Sequence, residues 1–345
     1  MGKALYEYGL ENDKCVEIMS MHDHQKQADR NVYFPKRIFS GYAVNKISFV
    51  LQAVENARNA EVVIISHINL LVAGWLIKKV NPTAKIILLA HGIEIWGTLS
   101  PIKQKILTCC HQILCVSKFT AEKIKANHHL PVTKIAVLNN CIDPFLPLPV
   151  LNYSSIQLRK KYKINDTATV LMTLTRLSAR DRYKGYEEVL NALLLLKKNN
   201  PQIKYLLAGS YSDSEKKFVD ALIKKHDLAD NVILTGYIPE DDLTAHFCMA
   251  DIYLMPSTKE GFGIVFIEAM YYGVPVIAGN QDGSVDALLN GELGLLIEPN
   301  SAVAIATAVE KMMLNKETYK PNHQLLMNNF GYDAYKRKLE MVLNN

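Results

Sequence analysis

Short apolar runs rich in valine, isoleucine and leucine alternate with longer amphipathic stretches over most of the chain. Uninterrupted apolar runs are typical of strands covered on both faces, and the stretches between them have helical spacing. This alternation predicts parallel sheets flanked by helices. The predicted strands are residues 61–66, 85–90, 112–116, 134–138, 169–175, 204–209, 232–235, 252–255, 275–278 and 295–297.

A proline-containing stretch at residues 143–153 interrupts the alternation, and we interpret it as a linker. The predicted fold class is α/β, with two doubly wound Rossmann-like domains, one at residues 1–145 and one at 146–330. A final helix at 331–345 is expected to pack back on the first domain. Ligands of such folds bind beyond the carboxyl ends of the strands, and two facing units would form a cleft. The predicted helices are residues 70–80, 101–109, 118–127, 185–198, 214–226, 241–248, 263–272, 283–289, 302–314 and 332–342.

Composition narrows the possible classes of protein. The 345 residues are 49% hydrophobic and 21% charged, which excludes disordered and collagen-like chains. Six cysteines without a C-x-x-C pair predict buried thiols in a reducing cytoplasm rather than disulfides or a zinc site. No secretory signal is apparent, and polar residues interrupt the longest apolar run, residues 62–77, so no membrane-spanning segment is predicted.

Charge is distributed unevenly along the chain. Residues 1–145 carry 17 lysines and arginines against 11 acidic residues, whereas the rest carries 22 against 23. A basic excess could face an anionic membrane or an acidic substrate, and it could equally be a solvated face without a partner. Nucleic-acid binding is not predicted, because no helix-turn-helix, RNP or zinc-finger pattern is present.

The most informative segment follows the predicted strand 252–255 and opens a helix. Its two glycines would let the backbone approach a ligand, and the first free helix amides would point at an anion. One carboxylate lies in the loop and a second lies further along the helix, where it could accept two hydrogen bonds from a ribose diol. Taken alone, the segment could also be a turn with two exposed glutamates. The residues concerned are Glu260, Gly261, Phe262, Gly263, Ile264, Val265 and Glu268.

Two cations follow the predicted strand 169–175. Arg176 ends the strand, and Lys184 precedes Gly185, which opens the next helix. A guanidinium and an ammonium at this position would clamp a diphosphate, although either residue alone could be a surface cation. Gly209 permits close backbone approach at the same sheet edge.

Taken together, these motifs resemble family 4 of the glycosyltransferases. The resemblance implies a GT-B fold, a nucleotide-diphosphate sugar donor and retention of anomeric configuration. It implies that Arg176 and Lys184 bind the diphosphate. Glu260 would hold the donor-sugar hydroxyls, and Glu268 would hold the ribose. The matching positions are Val116-Ser117, Asn140-Cys141-Ile142-Asp143, Arg176, Lys184-Gly185, Gly209, Gly236, Pro256-Ser257, Glu260, Glu268 and Gly273-Val274-Pro275-Val276-Ile277.

In the first half, His91-Gly92-Ile93-Glu94 resembles the family's H-G-x-E element. The resemblance implies that His91 reaches the sugar and acceptor. It also implies that the catalytic residues are His91, Arg176, Lys184 and Glu260. Considered alone, a histidine at a strand end is more often structural.

The chain departs from the family pattern at three places. The loop at residues 180–182 is longer and more basic than usual, and residues 282–286 replace a G-G-x-x-E element. The family's opening strand and its glycine-rich loop do not precede the first helix. Because that strand is central in its sheet, we expect unpaired backbone groups in a buried place. We hypothesise that the reading frame starts upstream of Met1.

The resemblance predicts an enzyme that transfers a hexosyl unit to a sugar or lipid-linked hydroxyl acceptor. Cell-envelope polysaccharide or glycolipid synthesis in the cytoplasm, with peripheral contact at the inner membrane face, is the expected setting. No cofactor or metal is expected, since no D-x-D sequence occurs and His22-Asp23-His24 lacks a partner motif. Two alternatives remain: an epimerase or hydrolase on the same fold, and a non-catalytic nucleotide-sugar-binding protein.

Overall fold

The structure is a computed structural model that describes residues 1–148 and 153–344. The chain divides into two compact units. The first unit contains residues 1–116 and 120–138 together with the carboxyl terminus from Tyr335 onward, and the second contains residues 117–119 and the chain from Asn139 to Ala334. Part of the predicted linker, residues 149–152, lies outside the described residues.

The first unit contains two parallel sheets. Strands β1 (Ile18–Ser20) and β2 (Phe39–Gly41) pair with each other. The second sheet has the order β3 (Val62–Ile65), β4 (Lys85–Ala90), β5 (Gln112–Cys115) and β6 (Ile135–Val137). Strands β1 and β3 each pair along one edge only, and most of their residues are half-buried. The helices in this part of the chain are α1 (Gly2–Glu11), α2 (Lys46–Asn56), α3 (Leu71–Val80), α4 (Ile93–Trp96), α5 (Pro101–Leu107) and α6 (Lys118–His128).

The second unit is built on a six-stranded parallel sheet. Its strands are β7 (Val170–Leu174), β8 (Lys204–Ala208), β9 (Val232–Gly236), β10 (Ile252–Met255), β11 (Val276–Gly279) and β12 (Leu295–Ile297). They lie in the order β12-β11-β10-β7-β8-β9, so the direction of winding reverses between β10 and β7. In doubly wound folds this switch point is where ligands bind. The helices are α7 (Tyr153–Lys161), α8 (Tyr186–Asn199), α9 (Asp213–Lys225), α10 (Glu240–Met249), α11 (Ile264–Tyr271), α12 (Ser284–Ala287), α13 (Ala302–Leu314), α14 (His323–Phe330) and α15 (Tyr332–Asn344).

The core of the second unit explains why its strands form. Leu171 and Leu254 on neighbouring strands are fully buried, and Leu193 of α8 and Val309 of α13 pack in the same cluster. Each such side chain removed from water stabilises the fold by about 1.5–3 kcal/mol. Because both faces of this sheet are covered by helices, nearly every position of its strands is apolar.

Helix α15 carries the chain into the first unit. The Tyr335 hydroxyl lies 3.1 Å from the Met1 sulfur. The Lys336 ammonium lies 3.2 Å from a Glu7 carboxylate oxygen and 3.0 Å from one of Glu11. These contacts tie the last helix to α1.

The structure confirms all ten predicted strands, with ends within one residue, and two Rossmann-like units with parallel sheets. The direction of winding reverses in the six-stranded sheet of the second unit, whereas the four strands β3–β6 of the first unit follow one another in chain order. Strands β1 and β2 and helix α2 were not predicted. Helix α14 was not predicted either; it occupies residues 323–330 and buries Leu326 and Phe330. The predicted helix at 283–289 is only one turn long, and a 3₁₀ turn at Leu289–Gly291 follows it. Within the described residues, no helix has the length and apolar character needed to cross a bilayer.

Candidate functional site

The predicted donor-binding residues follow three neighbouring strands of the second unit. Arg176 lies two residues beyond β7, Gly209 directly follows β8, and Glu260 lies in the loop after β10. Lys184 lies in the loop that leads from β7 into α8. Because these strands are parallel and adjacent, all four residues lie at one edge of the sheet, at the switch point.

The loops after β7 and β10 are joined by direct contacts. Lys184 forms an ion pair with Glu260, and their side chains are only 17% and 16% exposed. Nearby, the Thr258 amide donates a hydrogen bond of 2.9 Å to the Tyr183 carbonyl. The two groups predicted to bind diphosphate and sugar are therefore brought together and hold each other.

Two glycines allow the loops to approach this closely. Gly185 has a φ of +81°, and a Cβ there would overlap the carbonyl of Pro256. Gly209 has a φ of +128°, and a Cβ there would overlap the carbonyl of Thr175. Both positions need a left-handed backbone and empty space, which only glycine provides.

Arg176 is held by a carboxylate that was not predicted as a site residue. Its Nε and Nη2 donate to the two oxygens of Asp181 at 2.8 and 3.2 Å, and Ser178 donates to Asp181 at 2.5 Å. These hydrogen bonds, first that of Arg176, hold the pKa of Asp181 below its usual range. The Arg176 side chain remains 73% exposed, so its orientation is fixed while its other donors stay available to a ligand.

The basic loop at residues 180–182 is partly structural. Arg182 donates to both oxygens of Glu215, at 2.9 and 3.1 Å, and its guanidinium lies 3.4 Å from the ring centroid of Phe218. The Tyr186 hydroxyl donates to the same carboxylate at 2.6 Å. Glu215 is almost completely buried. Arg182 therefore forms an ion pair within the second unit and is not available as a further cation for a ligand.

Helix α11 presents unbonded amides at its start. Gly263 caps the helix with a φ of +85°, and the amides of Ile264 and Val265 have no partner among the described residues. Such amides favour an anion. Phe262 was predicted at the donor, but its side chain is 1% exposed and packs edge-on against Phe330 at 5.4 Å, so only its backbone is available.

Asp282 supports the loop after β10. It is fully buried and accepts hydrogen bonds from the Ser257 hydroxyl at 2.7 Å and the Glu260 amide at 2.6 Å. It also accepts a bond of 2.9 Å from the Ser284 amide. Burial raises the pKa of Asp282 above its usual value. From the sequence, residues 282–286 were identified only as a departure from the family pattern. An aspartate followed by glycine and serine after a strand is the signal that could have predicted the anchoring role of Asp282.

Glu268 differs from the other carboxylates of the site. It is half-buried on α11, and its carboxylate has no hydrogen-bond partner within residues 1–148 and 153–344. Burial, and next the charge of Asp143, raise the pKa of Glu268 to about 7. An unsatisfied, half-buried carboxylate is suited to accept two hydroxyl donors.

His91 lies in the first unit, directly after β4. Its Nε2 is 2.8 Å from the Ser66 carbonyl, which can only accept, so Nε2 carries the proton. The Glu94 carboxylate accepts from the amides of His91 and Gly92 at 2.6 and 3.1 Å and so holds the turn. The exposed ring therefore presents Nδ1 to solvent.

No cluster of three or more histidine, cysteine or acidic side chains that could hold a metal ion occurs in the described part of the chain. His22 and His24 are therefore not part of a cluster of this kind.

Two family descriptions match the chain. "Glycosyl transferases group 1" matches residues 154–336, and "Glycosyltransferase Family 4" matches residues 16–145. The first covers the second unit with all of the candidate donor residues, and the second covers His91.

Two curated relatives are similar to the chain. The GDP-mannose-dependent alpha-(1-6)-phosphatidylinositol monomannoside mannosyltransferase of Mycobacterium tuberculosis is 28% identical over 251 residues, which are 68% of this chain and 62% of that protein. The capsular polysaccharide biosynthesis glycosyltransferase CapM of Staphylococcus aureus is 26% identical over 230 residues, 66% of this chain and 57% of that protein. The aligned part thus spans about three fifths of each relative.

Among solved structures, Anabaena HepE in complex with UDP matches with a TM-score of 0.81 at 16% identity, covering 100% of this chain and 96% of that one. At this identity the match shows the fold alone. The fold is of the GT-B type, as predicted.

Proposed function

Because the chain belongs to the glycosyl transferases group 1 family, we propose that it transfers a hexosyl unit from a nucleotide-diphosphate sugar to a hydroxyl acceptor, with retention of anomeric configuration. The observation that carries this proposal is the Lys184–Glu260 contact at the switch point of the second unit. An ammonium, which would bind the diphosphate, and a carboxylate, which would accept sugar hydroxyls, lie side by side there.

The proposed chemistry begins with the leaving group. When the bond to the sugar breaks, negative charge builds on the diphosphate, and fixed donors aimed at that charge are usually the largest catalytic contribution. Lys184, Arg176 and the amides of Ile264 and Val265 would supply these donors. Lys184 would exchange Glu260 for a phosphate oxygen, which frees Glu260 to accept sugar hydroxyls.

Two further groups complete the proposed machinery. Glu268 would accept the hydroxyls of the ribose. His91 would bind the transferred sugar through the Nδ1 that its bond to Ser66 leaves available. We propose that no divalent ion is needed, since the cations and helix amides already supply positive charge. Transfer that persists in excess chelator is the expected result.

The direct experiment offers the purified chain a panel of UDP-, GDP- and ADP-sugars. A donor that binds the native state should raise the unfolding temperature, because binding only to the folded form stabilises it. The stabilising donor is then incubated with sugar and lipid-linked acceptors, and the anomeric configuration of the product is read by NMR. Inversion would overturn the retaining assignment.

The same experiment separates the two alternatives. Nucleotide release without any acceptor would indicate a hydrolase, and interconversion of nucleotide sugars would indicate an epimerase. Binding without any turnover would indicate a non-catalytic binding protein. Transfer that depends on acceptor supports the proposal.

We further propose a glycolipid or polysaccharide acceptor and peripheral membrane contact through the first unit. The glycolipid and the polysaccharide named for the two relatives, together with the basic excess of residues 1–145, favour this setting. On α2, Ile47 and Leu51 lie one turn apart and are 76% and 67% exposed, next to Lys46. Such a basic apolar face suits an anionic membrane surface.

Vesicle flotation tests the membrane contact. Replacing both Ile47 and Leu51 by glutamate should abolish binding to anionic vesicles, whereas Leu314→Glu, at an 84% exposed position of α13, should not. Equal binding of all three proteins would contradict the proposal. The six free cysteines fit the proposed cytoplasmic location.

A further inference from the structure

The edge at which the first unit's four-stranded sheet begins carries cations that the proposed donor chemistry does not use. Lys85 is the first residue of β4, His111 directly precedes β5, and Lys134 directly precedes β6. Lys78 lies in the last turn of α3, which leads into β4. Because the strands are parallel, their first residues lie at the same edge.

A cavity of about 360 Å³ opens at this edge. It is lined by His111, Gln112, Thr133 and Lys134. These side chains offer an imidazole, an amide, a hydroxyl and an ammonium, and none of them is a carboxylate. The volume is within the range of pockets that hold small ligands.

The lysines keep their charge uncompensated. Among the described residues, Lys78, Lys85 and Lys134 form no ion pair with a carboxylate. Lys134 donates to the carbonyls of Thr108 and Cys110 at 2.9 and 2.8 Å, which fixes its ammonium without neutralising it.

Lys78 is fixed in the same way, by a bond of 2.7 Å to the Pro82 carbonyl. The acidic residue nearest in sequence to this edge, Glu61 before β3, is already bound by Lys14 at 2.8 and 2.9 Å. Within residues 1–148 and 153–344, no carboxylate therefore pairs with the lysines at this edge of the sheet.

The lysines at this edge also affect the pKa of His111. Partial burial, and then the charges of Lys85, Lys134 and Lys78, lower the pKa of His111. Three lysines thus act on one imidazole beside a cavity. An anion bound here would offset the combined positive charge of the three lysines.

We propose that this edge of the first unit is a binding site for a phosphate-bearing anion. Phosphate oxygens would accept hydrogen bonds from Lys134, His111 and Thr133, and Lys85 and Lys78 would add charge at longer range. The site lies at the amino ends of the first unit's strands, whereas the donor residues lie at the carboxyl ends of the second unit's strands, so it does not depend on the proposed function. The phosphate could belong to a free diphosphate compound or to a lipid headgroup.

An NMR titration of His111 with inorganic pyrophosphate tests the site. A bound anion favours the imidazolium, so the pKa of His111 should rise by about one unit. Lys85→Gln is the test variant, because the Lys85 side chain has no hydrogen bond to lose within the described residues. It should reduce the pyrophosphate affinity at least three-fold, while Lys46→Gln, at the start of α2, should leave it unchanged. An unmoved His111 signal, or equal affinities for both variants, would overturn the proposal.

Cys109 provides a second readout and distinguishes the two sources. The neighbouring thiol of Cys110, and also the charges of Lys78 and Lys134, lower the pKa of Cys109 to about 7 despite partial burial. A bound anion should raise this pKa and slow alkylation of Cys109 by iodoacetamide, measured on the isolated peptide by mass spectrometry.

Slower alkylation with pyrophosphate alone identifies a soluble ligand. Slower alkylation with phosphatidic acid vesicles, but not with phosphatidylcholine vesicles, identifies a lipid headgroup. Unchanged alkylation in every condition would refute the site. Neither readout requires a sugar donor, so failure of this site would leave the proposed transferase activity standing. Likewise, failure to detect transferase activity would leave the proposed anion site standing.

Discussion

The loops after β10 and β4 both lie at the carboxyl end of a parallel strand, one in each unit, but they are held in different ways. The loop after β10 is anchored by the buried carboxylate of Asp282 and joined to the loop after β7 through Lys184 and Glu260. The loop after β4 is held by Glu94, which bonds the amides of its own turn, and by one contact from the exposed His91 ring.

Under the proposed function, this difference predicts a division of roles. Groups that must bind a charged diphosphate are oriented before the ligand arrives, because reorienting dipoles during the reaction would add to the barrier. The His91 ring is exposed and only its Nε2 is bonded, so the ring can adjust its orientation to different acceptor substrates. We therefore expect mutations at the second unit's site to weaken contacts with the diphosphate, both in the bound donor and as it leaves, and those near His91 to affect turnover without changing donor binding.

The largest expected effect is that of Lys184→Ala. Losing a donor to the leaving diphosphate should lower turnover by about 2–4 kcal/mol in barrier height, roughly 30- to 1,000-fold. Steady-state kinetics with the stabilising donor measures it. Lys259→Ala is the matched control, because Lys259 is an exposed lysine in the loop after β10, next to Glu260. Near-normal turnover of Lys184→Ala would contradict the assignment.

Glu268→Gln tests the unsatisfied carboxylate. Because burial raises the pKa of Glu268 to about 7, the folded state binds a proton that the unfolded state has released, and stability falls as pH rises from about 4.5 to 7. The glutamine variant should therefore be more stable above pH 7, by up to about 3 kcal/mol, and equally stable near pH 4. Urea unfolding at both pH values measures this.

Ligand binding should have the opposite pH dependence. Ribose hydroxyls favour the ionised carboxylate, so donor affinity should rise between pH 6 and 8 in the natural chain and stay flat in Glu268→Gln. A nucleotide sugar is the right probe, because its diphosphate does not titrate in this window. Parallel pH profiles for the two proteins would exclude a ribose contact.

Asp282→Ala should destabilise the second unit by about 2 kcal/mol, because it leaves buried donors of Ser257, Glu260 and Ser284 without an acceptor. Donor binding should weaken with it. Thermal unfolding of this variant is compared with that of Asp230→Ala, an exposed position where a change within about 0.5 kcal/mol is expected. Similar unfolding of the two variants would argue against the anchoring role.

The smallest effect is expected for Glu94→Ala. Removing the acceptor for two partly exposed amides should cost about 1 kcal/mol. If His91 acts in turnover, kcat should fall while the KM for the donor stays constant. Glu122→Ala, which breaks only an exposed pair with Lys125, controls for surface charge. A raised donor KM with unchanged kcat would reverse the proposed division of roles.

The sequence was informative wherever a residue's role is local. Strand positions are marked by apolar runs, and the glycines at 185, 209 and 263 are marked by their place after a strand or before a helix. The pattern of apolar and polar residues did not predict α14, because its asparagines are unfavourable in helices, although the helix buries Leu326 and Phe330. Phe262 was also assigned to the ligand, although its ring lies in the core.

What the chain itself determined is the set of strands and the chemical types of the residues that follow them, since these depend on periodicity and on neighbours in sequence. Only the tertiary structure decided which charges meet. Asp181 lies five residues from Arg176, but Glu260 lies 76 residues from Lys184 and Asp282 lies 22 residues from Glu260. Pairing at such separations depends on the order of the strands in the sheet, which places distant loops side by side and which no local pattern encodes.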